Sequence, residues 1–248
     1  MAKLVAVPRW LIACVVVCVV CALGVLTWHA LTRDSNANEG EAASASSEFD
    51  EGATLAGDDS ESLCGLSDAD QTGGPPEYWL QWDWEAYLSP MASAEGHGPG
   101  RVNDRFPTCY AHTPKGATLA AINWTALWES PWRVKTYRQR FTGKGSMRVL
   151  QRFSDSSERK LAAGMESVAV PWVRSEKYSD NHYRVMTVAA FPNGNWKMIT
   201  HHVVWWKGDW YMYNAEGDWE ENIRPVTQDD LDKLGGFYPT GVNPPDWE

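Results

Sequence analysis

No charged side chain lies between Arg9 and Arg33, and Trp10 to Trp28 is a nearly unbroken apolar run, LIACVVVCVVCALGVLT between two tryptophans. About 19 helical residues at about 1.5 Å each reach about 28 Å, one hydrocarbon thickness. The run predicts a transmembrane helix over 10–31, with Trp10 and Trp28 at the interfaces. Lys3, Arg9 and the N-terminal amine precede it, and beyond Arg33 no Lys or Arg occurs before Arg101. The positive-inside rule then places residues 1–9 in the cytoplasm and the rest outside, as a single-pass protein of the cell membrane. Two rival readings fit less well. A cleaved signal peptide has a shorter apolar region ending in small residues, whereas this run ends in Thr27-Trp28-His29-Ala30-Leu31. Leu11-Ile12-Ala13-Cys14 resembles a lipoprotein box, but cleavage before Cys14 would leave a long apolar stretch behind it. Cys14, Cys18 and Cys21 share one helix face, either as ordinary small apolar residues or as a close-packing seam for a homo-oligomer.

The net charge of −10 conceals a partition. Residues 34–100 hold 15 acidic side chains and no Lys or Arg, while residues 101–248 hold 19 basic and 17 acidic groups. Within 34–62 Phe49 and Leu55 are nearly the only large apolar groups, so the segment 32–63 cannot offset chain entropy by burial. It reads as a disordered, self-repelling linker that supplies reach. Residues 64–108 form a Trp-rich segment, with Tyr78, Trp79, Trp82, Trp84 and Tyr87. Cys64 and Cys109 are the cysteines outside the apolar run, and on an oxidising face they predict a disulfide stapling that segment to the domain. Cys109-x-x-His112 is alternatively half of a metal site or a nucleophile with its base, and lacks the second half either chemistry needs.

The folded domain is expected over 109–240, with 241–248 as a tail. Thr113 suits an N-cap and Pro114 a first helical position, and Ala117, Ala120, Ala121, Trp124 and Leu127 follow at helical spacing. Ser130-Pro131 opens a second helix through Val134, Tyr137 and Phe141; weaker helical patterns run through Met147, Leu150 and Phe153 and near Leu161. From Val168 the pattern turns to strands over 168–174, 182–191, 195–206 and 210–214, with hairpin signals at Pro192-Asn193-Gly194 and Lys207-Gly208-Asp209. Helices followed by a meander predict an α+β fold, helices packed on a curved antiparallel sheet.

A Cys-Gly-Leu after an acidic tether, Gly98-Pro99-Gly100, Cys109-Tyr110-Ala111-His112-Thr113-Pro114-x-Gly116-Ala117, Trp205-Trp206-Lys207-Gly208-Asp209-Trp210 and Leu234-Gly235-Gly236-Phe237-Tyr238-Pro239 together resemble an actinobacterial family of membrane-anchored proteins of unknown function. The family's architecture is similar to the nuclear-transport-factor-two-like (cystatin-like) cone, as in single-pass scaffold proteins of conjugative type IV secretion. The resemblance implies a cone and, by fold-level analogy, contacts with other envelope proteins in an assembly. The adjacent Trp205 and Trp206, with Trp210, depart from the expected pattern and mark a candidate interaction surface.

The chain contains no His-Glu-x-x-His, Gly-x-Ser-x-Gly, phosphate-loop or dinucleotide pattern, so no catalytic residue, metal or cofactor is assigned. His201, His202, Tyr211 and Tyr213 suit roles in a cone pocket, but alternation puts the two histidines on opposite faces of a strand. Asn123-Trp124-Thr125 fits a glycosylation pattern inside a predicted helix and receives no role; Asp218, Glu220 and Glu221 are a solvated charge run or a cation site. Residues 132–160 carry nine Lys or Arg against Asp155 and Glu158. Arg133, Lys135, Arg138, Arg140, Lys144, Arg148 and Arg152 there are the candidate surface for a weak anionic-polymer contact, or a solvated face. The expected function is a non-enzymatic envelope scaffold; the alternative is a ligand-binding or hydrolytic domain using a pocket in the cone.

Overall fold

Thr113 stops its own backbone short of helix and lends its hydroxyl to the Gly116 N–H at 3.0 Å, and Pro114 follows where a missing N–H costs nothing. The helix they start, α1 (Pro114–Ala126), is buried along its whole length except at Lys115. A helix apolar all round belongs inside a domain, and α1 packs on four strands of a large sheet. The computed structural model describes residues 53–73, 80–83, 91–103, 106–129, 133–151, 168–191, 193–215 and 222–242. All of them fall in one unit, Ser47–Glu248. The expected cytoplasmic tail 1–9, span 10–31 and first part of the linker lie outside the described residues. Among the described residues no helix is long and apolar enough to cross a membrane.

Strands β6 (Ala169–Ser179), β7 (His182–Ala190), β8 (Trp196–Trp206) and β9 (Asp209–Tyr213) form the expected antiparallel run of hairpins. With β5 at Phe141–Thr142 and β11 at Tyr238–Pro239, the order along the sheet is β11-β6-β7-β8-β9-β5. The additions were invisible to pattern reading because they are two or three residues long. β5 (Phe141–Thr142) runs parallel to β9, so the sheet is not a pure meander. β11 (Tyr238–Pro239) pairs with β6, and β10 (Ile223–Pro225) with Lys197–Ile199 of β8. The far edge of β8 is therefore shared, with β9 taking its His202–Trp206 end. Between α1 and β5 lie the 3₁₀ turn Leu127–Glu129 and α2 (Arg133–Arg140), and residues 146–151 are helical, as the sequence pattern predicts. α3 (Gln228–Asp232) is capped by Thr227 in a capping box with Asp230.

Two two-stranded ribbons, β1 (Gln81–Asp83) with β2 (Met91–Ser93) and β3 (Arg101–Asn103) with β4 (Phe106–Thr108), complete the fold. Asn123 of α1 ties in the first. Its Oδ1 accepts from the Ala92 N–H at 2.7 Å, and its Nδ2 donates to the Ala92 carbonyl at 2.8 Å and to the Tyr110 hydroxyl oxygen at 3.0 Å. The amide side chain imitates a neighbouring strand, so the Asn123-Trp124-Thr125 pattern is core rather than surface. The core is unusually aromatic: Trp124, Trp205, Trp210, Tyr110, Tyr137, Tyr183 and Phe106 are among its largest fully buried side chains. A second cluster of Ala169, Ala190 and Val242 has Trp82 and Trp196 against it, and Trp82 also packs on the main core. The expected tail is corrected here at its start. Val242 is buried, and Thr240 donates its N–H to the Pro171 carbonyl at 2.9 Å.

Candidate functional site

The two-residue turn between β8 and β9 requires positive φ at both positions, and Lys207 (51°) and Gly208 (80°) supply it. A Cβ on Gly208 would collide with the Glu61 carbonyl oxygen, because a strap of chain lies across the turn. Asp58 N–H donates to the Trp205 carbonyl (2.9 Å) and Leu63 N–H to the Gly208 carbonyl (3.0 Å). In return the Trp205 indole N–H donates to the Ser60 carbonyl (2.8 Å) and the Lys207 N–H to Asp58 Oδ2 (3.0 Å). Asn181 Nδ2 reaches Asp59 Oδ1 at 2.9 Å. The expectation of a disordered linker as far as residue 63 is thus corrected from residue 53 onward. Composition sees only that the strap has little apolar surface; the fold holds it by backbone hydrogen bonds instead. Burial works against the Asp58 charge, but the Lys207 N–H and the Ser60 hydroxyl and N–H outweigh it and hold its pKa below the ordinary value.

The strap ends at Cys64, which forms a disulfide with Cys109, 45 residues later and 5.7 Å away between Cα atoms. Cys109 is a non-glycine residue at φ 72°. That conformation points its N–H, and the N–H of Tyr110, at one carboxylate. Asp209 Oδ2 accepts from Cys109 N (2.8 Å), and Oδ1 from Tyr110 N (3.0 Å) and Trp210 N (2.9 Å). Asp209 is 1% exposed, and its countercharge is Arg140, with Nη2 3.1 Å from Oδ2. Arg140 also donates through Nη1 to the Tyr211 hydroxyl (2.8 Å) and lies over the rings of Tyr211 and Phe106. His112 stacks on Trp205 at 4.1 Å, and Trp210 Nε1 donates to the Ala111 carbonyl at 2.8 Å. Past Cys64, Asp70 pairs with Lys115 at 2.8 Å and with His97 at 3.4 Å. The Lys115 ammonium and the Thr72 hydroxyl and N–H hold the Asp70 carboxyl far below the usual carboxylate range. The motif residues of the strap, 109–114 and 205–210 therefore converge on one clasp.

A family model described as a domain of unknown function, DUF8175, matches residues 45–239. The chain belongs to the DUF8175 family. No curated protein and no solved structure matches it. The matched span begins ahead of the strap and ends at β11, so the DUF8175 domain includes the strap.

Within the DUF8175 domain the sequence-level candidates separate. Cys109 is committed to the disulfide and His112 to the face of Trp205, which removes the Cys-x-x-His metal or nucleophile reading. Trp205 and Trp210 are fully buried core residues, a correction to the expected interaction surface. Trp206 is half-buried, with Lys207 Nζ 4.4 Å above its ring and Tyr211 edge-on at 5.2 Å. Arg140, placed on the candidate anionic surface, is turned inward to Asp209. Arg138, Lys144 and Arg148 are exposed; the side chains of Arg133 and Lys135, and Arg152, lie outside the described residues, as do Asp218, Glu220 and Glu221. Among the described residues no group of three His, Cys, Asp or Glu is arranged to hold a metal. Asp70, His97 and Thr113 stand in a chain that resembles a hydrolytic triad, with His97 Nδ1 3.3 Å from Thr113 Oγ1. Thr113 is 1% exposed and its hydroxyl caps α1, which commits it to the helix.

Where β9 and β10 part along β8, a cleft bordered by Phe141, His201, Met212, Asn214 and Asn222 encloses about 10 Å³, room for a single water. His201 closes its floor, with Nε2 2.8 Å from the Thr125 hydroxyl, which also meets Thr187 at 3.1 Å. On the opposite face His202 lies 3.0 Å from His182, a pair that sequence separation hid. Burial, then the charge of His202, lowers His201 to about 3 and His182 to about 4 from 6.5. The unfolded chain therefore binds protons below pH 6.5 that these folded histidines refuse. Stability is expected to be full above pH 6.5 and to fall progressively as the pH drops from there toward 4. Urea midpoints measured across that range check it: His201→Gln should flatten the slope, and an unchanged slope contradicts the assignment.

Proposed function

We propose that this protein is a bitopic membrane protein whose DUF8175 domain is an extracytoplasmic, cone-like interaction module in an envelope assembly, with a secretion or conjugation apparatus as the nearest analogy. The observation that carries this reading is the Cys64–Cys109 disulfide in a domain that follows the uncharged run 10–28. Charge asymmetry about that run supports a cytoplasmic N-terminus. The interior between α1 and the sheet supports a scaffold over a ligand-binding or hydrolytic cone, because buried Trp, Tyr and Phe side chains occupy the volume a pocket would need. The clasp supports the same reading, since it fixes the end of the tether rigidly onto the domain.

Intact cells treated with a membrane-impermeant protease test the topology. Loss of the domain with an N-terminal tag retained inside is expected; a domain cut only after lysis overturns it. Crosslinking in native membranes, followed by mass spectrometry, tests the assembly role. Recurrent crosslinks from one face of the domain to the same envelope protein are expected, and recovery of the monomer alone counts against it.

A further inference from the structure

The structure assigns Arg138, Lys144 and Arg148, with Met147 between the last two, to the surface of an anionic bilayer; this rests on the membrane-anchored reading above. The patch is built, not incidental. Tyr137 and Phe141 stack at 3.7 Å and are buried, which turns Arg138 and Gln139 of the last turn of α2 outward. The chain then doubles back through Gly143, at φ 91°, and Gly145, where added Cβ atoms would collide with the carbonyl oxygens of Asn214 and Ala215. Gly145 N–H donates to the Asn214 carbonyl (3.1 Å), Asn214 N–H to the Thr142 carbonyl (2.9 Å) and Ser146 Oγ to the same carbonyl (2.6 Å). This turn is fastened to the end of β9 and holds Lys144, Met147 and Arg148 away from the core, Met147 at 50% exposure.

None of the three cations has an ion pair among the described residues, unlike Arg140, Arg174, Arg184 and Arg224. An exposed ammonium and two exposed guanidinium groups, two of the three flanking an exposed thioether in the sequence, match a layer of lipid phosphates above an apolar boundary. The bilayer is the occupant because the chain brings it within reach. Residues 34–52 separate Arg33 from Ala53 and span at most about 65 Å. The patch lies one β9 length, about 17 Å, along the sheet from the turn that seats the strap, so docking leaves the clasp closed.

Hydrogen exchange of the full chain tests this in nanodiscs of phosphatidylcholine alone and of phosphatidylcholine with phosphatidylglycerol. Amides in 141–151 are expected to exchange more slowly in the anionic discs, by about fivefold per contacting charge. The slowing is expected to vanish in about 0.5 M salt and in Arg138→Gln/Lys144→Gln/Arg148→Gln. Equal exchange in both discs overturns the proposal. So does equal slowing in neutral discs, which assigns the cations to the chain's own acidic segment, and slowing by inorganic phosphate in neutral discs, which assigns them to a free anion. Co-elution with the discs reads the span separately. If the chain does not co-elute, the span reading fails; the same comparison is then made with vesicles of both compositions added from outside, where equal exchange overturns docking.

Discussion

Asp209→Ala is expected to lower the unfolding free energy by about 3–5 kcal/mol, the cost of breaking a buried ion pair from one side. Four donors meet this carboxylate: the backbone N–H groups of Cys109, Tyr110 and Trp210 and the Arg140 guanidinium. Truncation leaves all four without the acceptor and leaves Arg140, itself largely buried, with the Tyr211 hydroxyl and the Tyr211 and Phe106 rings but no countercharge among the described residues. Asp209→Asn keeps the volume and discards the charge, and its amide NH₂ would face donors, so it is expected to rescue little. Arg140→Ala is expected to cost less, because three backbone donors still satisfy the carboxylate. The double variant should cost clearly less than the sum, since removing both partners leaves no orphaned charge. Urea unfolding followed by tryptophan fluorescence measures each value, with Trp205 and Trp210 reporting from beside the pair. A loss under about 1 kcal/mol for Asp209→Ala would show the pair to be peripheral to stability.

The same residue separates what is legible in the sequence from what is not. Lys207-Gly208-Asp209 identified a hairpin correctly, because two positive-φ positions between strand-like runs leave a local signature. Asp209 itself reads as a third turn residue. Its partners lie 69 and 100 positions away along the chain, and no spacing encodes that. Arg140 belonged by composition to a basic surface, and only the stacking of Tyr137 on Phe141 and the parallel pairing of β5 with β9 bring that end of α2 against β9. Thr113-Pro114, the four long strands and the Cys64–Cys109 pair were legible for the converse reason: each rests on a local rule or on the elimination of other cysteines. The order of the strap is hidden from composition because low hydrophobicity predicts disorder only where no fixed backbone partner exists. Adjacent tryptophans suggest a surface function for Trp205, Trp206 and Trp210, whereas alternation sends Trp205 to α1 and Trp206 away, and Trp210 is buried.

Loss of the disulfide follows as the second large effect, and its two consequences can be separated. In the chain-entropy model, closing a loop of 45 residues contributes about 4 kcal/mol at 25 °C. Cys64→Ser/Cys109→Ser should show a loss of that order in urea unfolding against the oxidised wild type. The local consequence is sharper. The strap from 53 to 63 has few apolar contacts, and ordering each residue costs about 1–2 kcal/mol. A handful of hydrogen bonds at about 1 kcal/mol each cannot offset that once Cys64 is free. The strap should then detach while the sheet persists. Amide exchange distinguishes the two, because particular N–H groups report on each. Asp58 and Leu63 donate to the Trp205 and Gly208 carbonyls across the clasp, whereas Trp205 donates to Asn181 at 2.9 Å within the domain. In the double serine variant the Asp58 and Leu63 amides are expected to exchange near unstructured rates, with Trp205 still protected. Retained protection at Asp58 and Leu63 would show that the turn holds the strap unaided. Loss of protection at all three would make the strap part of the domain's cooperative core.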